Sequence, residues 1–130
     1  MNEEEPKVSK YRHKPEYFLA YAELLAAARR RGTVTYREIA FVTGLPMRWP
    51  RMLVEVGDLV GEISKDEHLM GRPMLSALAV HEDNGRPGKG FFGLAKGLKQ
   101  LKDDSEQGKQ RFWEQQKASI YRIWRKKPLV

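Results

Sequence analysis

The 130-residue sequence predicts a single domain of the α+β class that is mainly helical, on three observations. Apolar residues recur at spacings of three and four over several long stretches, which is the period of an amphipathic helix. One short continuous apolar run, residues 74–80, is typical of a buried strand. The content of 41% hydrophobic and 32% charged residues fits a soluble chain of a size that builds one core.

The expected domain covers residues 15–130, and residues 1–14 are expected to form a flexible tail because they have mixed charge and few apolar side chains. Pro15 suits the first turn of a helix, and Gly32 suits the left-handed conformation that closes one. The apolar stripe of this first helix consists of Tyr17, Phe18, Tyr21, Leu24, Leu25 and Ala28.

A capping box marks the start of the second helix. In Thr35-Tyr-Arg-Glu38 the threonine hydroxyl can accept from the backbone N–H of Glu38, while the carboxylate reaches back to Thr35. This helix is short, because Gly44 and Pro46 close it. A third helix is expected from Arg51 to about Leu69. Its two interior glycines, Gly57 and Gly61, indicate either the close approach of another backbone or local flexibility.

The second half of the chain predicts a strand, a basic loop and two helices. The strand at residues 74–80 is followed by a turn at Asp83-Asn-Gly85 and a loop rich in glycine and proline at residues 85–90. Helices are expected from about residue 94 to 101 and over residues 109–126. A short helix, a turn, a longer helix, a strand and a basic loop follow the order of a winged helix-turn-helix domain. We therefore expect a small β-hairpin or wing and a packed C-terminal helix.

The net charge of +7 is unevenly distributed, and this distribution predicts nucleic-acid binding. Residues 84–102 contain five cations and no acid, and residues 109–127 contain seven cations and one acid. Double-stranded DNA is the expected partner. The predicted contacts from the helix unit and the wing are Tyr36, Arg37, Arg48, Arg51, Arg86 and Lys89. A second basic strip at the C-terminus consists of Arg122, Arg125, Lys126 and Lys127.

Four short motifs resemble the DNA-binding domain of alkylguanine DNA alkyltransferases and alkyltransferase-like proteins. They are Thr33-Val-Thr-Tyr-Arg-Glu-Ile-Ala40, Gly44-Leu-Pro46, Val56-Gly-Asp-Leu-Val-Gly61 and Ala79-Val-His-Glu-Asp-Asn-Gly85 with the glycine-rich stretch after it. The resemblance implies a helix-turn-helix that binds the minor groove and a role for Tyr36 in rotating a nucleotide. The family's Pro-Cys-His-Arg motif is replaced by Leu75-Ser-Ala-Leu78, so alkyl transfer from a cysteine is excluded. The loop from Met47 to Met52 is also longer than in the family.

Two alternatives come from the acidic third helix and the aromatic last helix. The carboxylates of Glu55, Asp58, Glu62 and Asp66 fall on one helical face. That face, or the aromatic side chains of the last helix, suits a protein partner. A metal-dependent nuclease is the less favoured alternative, because a charged face is ordinarily solvated. We expect no catalytic, metal or cofactor site.

A cytoplasmic location is expected from two absences in the sequence. The N-terminus lacks the pattern of a secretory signal, and no apolar run reaches the length needed to span a membrane. The chain also has no cysteine, which excludes a disulfide framework and a thiolate zinc site.

Overall fold

The protein is mainly helical with a small sheet, as a computed structural model that describes residues 9–125 shows. The elements in chain order are α1 (Pro15–Arg29), β1 (Val34–Thr35), α2 (Tyr36–Thr43), α3 (Arg51–Leu69), a 3₁₀ turn (Leu75–Leu78), β2 (Ala79–Val80), α4 (Lys89–Gly97) and α5 (Glu106–Ile123). Among the described helices, none is both long and apolar enough to cross a membrane.

The sheet is a parallel pair, whereas the sequence predicted a hairpin or wing. Val34 of β1 lies opposite Ala79 of β2, and Thr35 lies opposite Val80. The apolar run at residues 74–80 is buried throughout, but its first part winds into the 3₁₀ turn and only its end is extended. A continuous apolar run has no period, so the pattern alone did not distinguish a buried strand from a buried turn.

The first two helices begin and end where local chemistry requires. The Thr35 hydroxyl accepts from the backbone N–H of Glu38 at 3.1 Å. The same hydroxyl donates to the Glu38 carboxylate at 3.1 Å. The capping box is thus confirmed, with the carboxylate bonded to the hydroxyl of Thr35. Gly44 closes α2 at a φ of 76°. At the end of α1 the left-handed residue is Arg31, at a φ of 57°, and not the expected Gly32.

Helices α4 and α5 both begin earlier than predicted. Gly88 is the extended residue before α4, and buried Phe91 fixes the first turn of that helix to the core. Ser105 caps α5 by accepting from the backbone N–H of Gly108 at 3.1 Å. A Cβ at Gly108 would lie 2.2 Å from the carbonyl oxygen of Asp103, so this turn requires glycine. Of the predicted helix 109–126, residue 126 lies outside the described residues.

The core forms around α3 and the 3₁₀ turn. Helices α1 and α2 pack on α3, and α5 crosses the 3₁₀ turn. Trp113 of α5 donates its indole N–H to the carbonyl oxygen of Ala77 at 2.8 Å, which fixes α5 over the turn. The largest fully buried apolar side chains are Leu24, Ile39, Leu59, Ile63, Met74, Leu75, Leu78 and Ile120. The short turn thereby becomes the centre on which the long helices pack.

Replacing the cap of α2 should destabilise the whole domain, because β1 and α2 meet at Thr35. We expect Thr35→Ala to lower the free energy of unfolding by about 1 kcal/mol through loss of the bond to the Glu38 N–H. Chemical denaturation measures the change. Thr33→Ala is the matched control, because Thr33 is exposed and lies outside the cap. An equal loss in both variants would contradict the assignment.

Candidate nucleic-acid interface

The N-terminal end of α3 presents two exposed arginines. Arg48 lies in the turn before the helix and Arg51 is its first residue. Neither side chain forms an ion pair with another residue of the described part of the chain. Pro50, at the cap position, makes no side-chain hydrogen bond to the helix, and no acid lies in its first turn. The positive end of the helix dipole and two guanidinium groups therefore coincide at one place.

The two predicted contacts in α2 differ in accessibility. Arg37 is exposed and forms a surface ion pair of 2.5 Å with Glu82. A pair of this kind contributes less than about 1 kcal/mol and exchanges readily for another anion. Tyr36, by contrast, is only 7% exposed. Its hydroxyl accepts from the backbone N–H of Gly88 at 2.9 Å, and its ring stands edge-on to His81 at 4.9 Å between centroids. Contact between Tyr36 and a ligand requires those interactions to open.

The two cations predicted for a wing lie in different surroundings. Arg86 is half-buried, with its guanidinium 5.6 Å from the ring centroid of Trp113 and bonded to Gln110 at 2.8 Å. It therefore attaches its loop to α5. Lys89 is exposed, and it is the first residue of α4 and not part of a loop. The glycine-rich sequence indicated a loop at this helix start, because Gly90 and Gly93 are poor helix formers.

The C-terminal cations lie at the other end of α3. Arg122 and Arg125 are exposed, and Arg122 lines a depression together with His68 and Arg72. His68 lies in the last turn of α3, roughly 25 Å along the helix axis from Arg51 at 1.5 Å per residue, and Arg72 follows the end of the helix. The two groups of cations are thus separate. Lys126 and Lys127 lie outside the described residues.

The acidic face of α3 is covered by the residues that precede α1. Lys10 pairs with Glu55 at 2.8 Å and with Asp58 at 3.3 Å. The carboxylate of Glu62 accepts from the backbone N–H groups of Lys10 and Tyr11, each at 3.0 Å. Further hydrogen bonds join Ser9 to Glu62, Tyr11 to Glu55 and Arg12 to Asp66. Residues 9–12, which we name the N-terminal segment, therefore neutralise this face.

This arrangement differs from the flexible tail expected over residues 1–14, of which residues 1–8 lie outside the described part. Tyr11 is buried, and hydrogen bonding from Lys10 keeps the pKa of Glu55 below its ordinary value. Among residues 9–125, no three His, Asp or Glu side chains are grouped as metal ligands. The opposite charges of Lys10-Tyr-Arg12 and the acidic stripe were a usable signal, but only the fold brings the two segments together.

A buried carboxylate, Glu67, joins three elements and was missed by the sequence analysis. Its side chain is 1% exposed, pairs with Arg72 and accepts from the hydroxyl of Tyr21. The guanidinium of Arg72 in turn lies 5.5 Å from the ring centroid of Trp124. A buried charge is stable only with such partners, so this cluster joins the middle of α1 to the C-terminal ends of α3 and α5. The spacing of acids along α3 gave no indication of which carboxylate turns inward.

A cleft of about 590 Å³ is lined by residues of α3, α4 and the N-terminal segment. Gly57 and Gly61 form its α3 wall, and Tyr36 and Ser76 also line it. A Cβ at either glycine would meet nothing within 4 Å, so the expected close approach of another backbone is wrong. The hydroxyl of Ser76 is bonded to that of Ser64 at 2.6 Å and has no histidine partner.

No protein-family model, curated protein or solved structure matches this chain. The resemblance to alkyltransferase-like proteins stays a prediction from the short motifs.

The two glycines in the cleft wall allow a prediction about stability. We expect Gly57→Ala and Gly61→Ala each to raise the free energy of unfolding by about 0.5–1 kcal/mol, because alanine favours the helix and its methyl group enters open space. Chemical denaturation measures the change. Gly108→Ala is the control for a crowded glycine and should destabilise the protein. Destabilisation by the two α3 substitutions would show that the wall is closed.

We expect the protein to lose stability in alkali, because its tyrosines are partly or fully buried. Burial, first of all, raises the pKa of all five tyrosines, and that of Tyr21 to about 12. The folded pKa values exceed the unfolded value of about 10, so the protonated tyrosines contribute to the free energy of unfolding. This contribution to stability is complete below pH 10 and is lost as the pH rises through the folded pKa values. An absorbance titration of tyrosinate should give higher midpoints in native than in denatured protein. Equal midpoints would contradict the burial.

Proposed function

We propose that this chain is a non-catalytic nucleic-acid-binding protein of the winged-helix-like class, with double-stranded DNA as its ligand. The observation that supports the proposal is the pair of exposed arginines, Arg48 and Arg51, which form no ion pair within the described residues and lie at the N-terminal end of α3. A helix N-terminus attracts phosphate through its dipole, and guanidinium groups add charge-assisted hydrogen bonds.

The order of the helices also supports a nucleic-acid contact at the N-terminal end of α3. Helix α2, the turn and α3 follow each other as the two helices of a helix-turn-helix unit do, and in such units the N-terminal residues of the second helix reach the nucleic acid. No acid occurs between Glu38 and Glu55, so the approach to this end of α3 is free of like charge. The carboxylates farther along α3 are paired with the N-terminal segment, which reduces their repulsion of phosphate.

The other basic residues predicted from the sequence have different roles in the proposed binding. Arg37 joins the same helical unit and exchanges its surface partner Glu82 for phosphate. Lys89 adds a contact from the start of α4. Arg86 supports the loop from behind, since its guanidinium already faces Trp113 and Gln110. Arg122 and Arg125 lie toward the far end of α3 and contact a different stretch of backbone.

A protein-interaction module is the second candidate, and a specific surface favours it. Phe18 of α1 and Leu69 and Met70 at the end of α3 are exposed large apolar side chains. A hydrogen bond from Tyr17 to Asp66 joins the part of α1 that contains Phe18 to the last turns of α3. Exposed apolar side chains that form a contiguous patch are typical of protein contacts. The acidic face and the aromatic residues Phe112 and Trp113 are covered within the chain itself and are less suited to a partner.

Salt dependence tests the proposal. We expect the association constant for a generic duplex to fall as the salt concentration rises, because each phosphate contact releases counterions. In a plot of the logarithm of the constant against the logarithm of the salt concentration, the slope is roughly −0.9 per phosphate contacted. In Arg48→Gln/Arg51→Gln the slope should become shallower by about two such contacts. Fluorescence anisotropy of a labelled duplex at several salt concentrations measures both quantities.

The matched control removes the same charge elsewhere. Lys99→Gln/Lys102→Gln changes two exposed cations outside the α2–α3 unit and should leave the slope nearly unchanged. Equal effects in the two double variants would mean that net charge alone, and not the end of α3, accounts for binding. Absence of binding to duplex, single strand and RNA at low salt would overturn the proposal and favour the second candidate.

A further inference from the structure

Exposed apolar side chains accompany the two arginines at the α2–α3 turn. Trp49 is 74% exposed and Phe41 is 73% exposed, and Met47 and Val54 are exposed as well. The other two tryptophans are packed: Trp113 is buried against Ala77, and Trp124 lies beneath Arg72 and Tyr21. Tryptophan is on average a highly buried residue, so a large indole left in solvent beside two arginines requires an explanation.

The turn that carries Trp49 is held in place by hydrogen bonds from the first turn of α3. The carbonyl oxygen of Arg48 accepts from the N–H of Met52 at 2.8 Å, and that of Pro50 accepts from the N–H of Leu53 at 3.1 Å. Met52 is buried directly after the turn. The backbone on either side of Trp49 is therefore tied into α3, and the indole projects from an ordered support.

The chemistry of this surface fits a nucleobase with flanking phosphates. An aromatic face stacks on any base, and adjacent guanidinium groups bind the phosphates on either side. In an intact duplex the base faces are hidden within the stack, and only their edges are accessible in the grooves. The indole of Trp49 therefore gains most from a base that is already unpaired, while Arg48 and Arg51 bind duplex and single strand alike.

We infer that the α2–α3 turn is a stacking site for an unpaired base, with Trp49 against the base and Arg48 and Arg51 on the neighbouring phosphates. This inference rests on the proposed nucleic-acid binding and adds a ligand class to it: single strands, or duplexes that contain an unpaired nucleotide. An acidic protein partner also matches the two arginines and can pack on an indole. An indole between two cations nevertheless fits a stacked base with a phosphate on either side more closely.

Three probes of equal length test the inference: a single strand, a perfect duplex, and the same duplex with one bulged nucleotide. Trp49→Ala should weaken binding to the single strand and the bulged duplex by about five- to a hundredfold, as expected for the loss of one stacked base. Binding to the perfect duplex should change by less than about twofold. Trp49→Phe retains an aromatic face and should restore most of the affinity.

Leu69→Ala is the matched control, because it removes an exposed apolar side chain at the opposite end of α3. Unchanged affinities of Trp49→Ala for all three probes, or equal losses on all three, would overturn the stacking site while the proposed nucleic-acid binding stands. Failure of the unaltered protein to bind any probe at low salt would overturn both. A homodimer or a complex with an acidic peptide that Trp49→Ala abolishes, without loss of probe affinity, would assign the surface to protein contact.

Discussion

The carboxylates of α3 and the groups that cover them determine how the rest of the molecule is arranged. This helix has an apolar stripe that packs on the 3₁₀ turn. Its row of acids is neutralised or hydrogen-bonded by seven residues: Ser9, Lys10, Tyr11, Arg12, Tyr17, Tyr21 and Arg72. The N-terminal segment covers the row from outside, and Arg72 pairs with Glu67 inside. Since a buried carboxylate without a partner is strongly unfavourable, the pairing of Glu67 with Arg72 fixes the loop after α3. The other acids are partly exposed, and their hydrogen bonds to residues 9–12 hold the chain before α1 in place.

That neutralisation also separates the charges along α3. Its acids are engaged along the middle and the C-terminal end, whereas Arg48 and Arg51 are unpaired within the described residues at the N-terminal end. A helix dipole has its positive end at the same place. The proposed binding surface therefore depends on local geometry more than on the net charge of +7, much of which lies on α4, α5 and the C-terminus. Trp49, between the two arginines, adds an apolar face to that surface.

Local patterns in the sequence predicted the helical part of the fold well. Thr35 and Gly44 bound α2 as expected, and α3 extends from Arg51 to Leu69 as its apolar period indicated. The predictions were less accurate where apolar or glycine content had no period. The run at residues 74–80 became mostly a turn, and α4 began inside a glycine-rich stretch. For the candidate site, the sequence identified Arg48 and Arg51 but did not distinguish them from Tyr36 and Arg86, which pack inward.

By itself, then, the sequence determined α2 and α3, the Thr35 cap, the absence of cysteine chemistry and the excess of basic residues, because each of these depends on composition or on residues that are close along the chain. Only the tertiary structure decided which charges remain available. Lys10 reaches Glu55, Tyr36 reaches Gly88 and Arg86 reaches Trp113 across long separations in sequence. Pairings over such distances follow from how the helices pack, which no spacing of residues records.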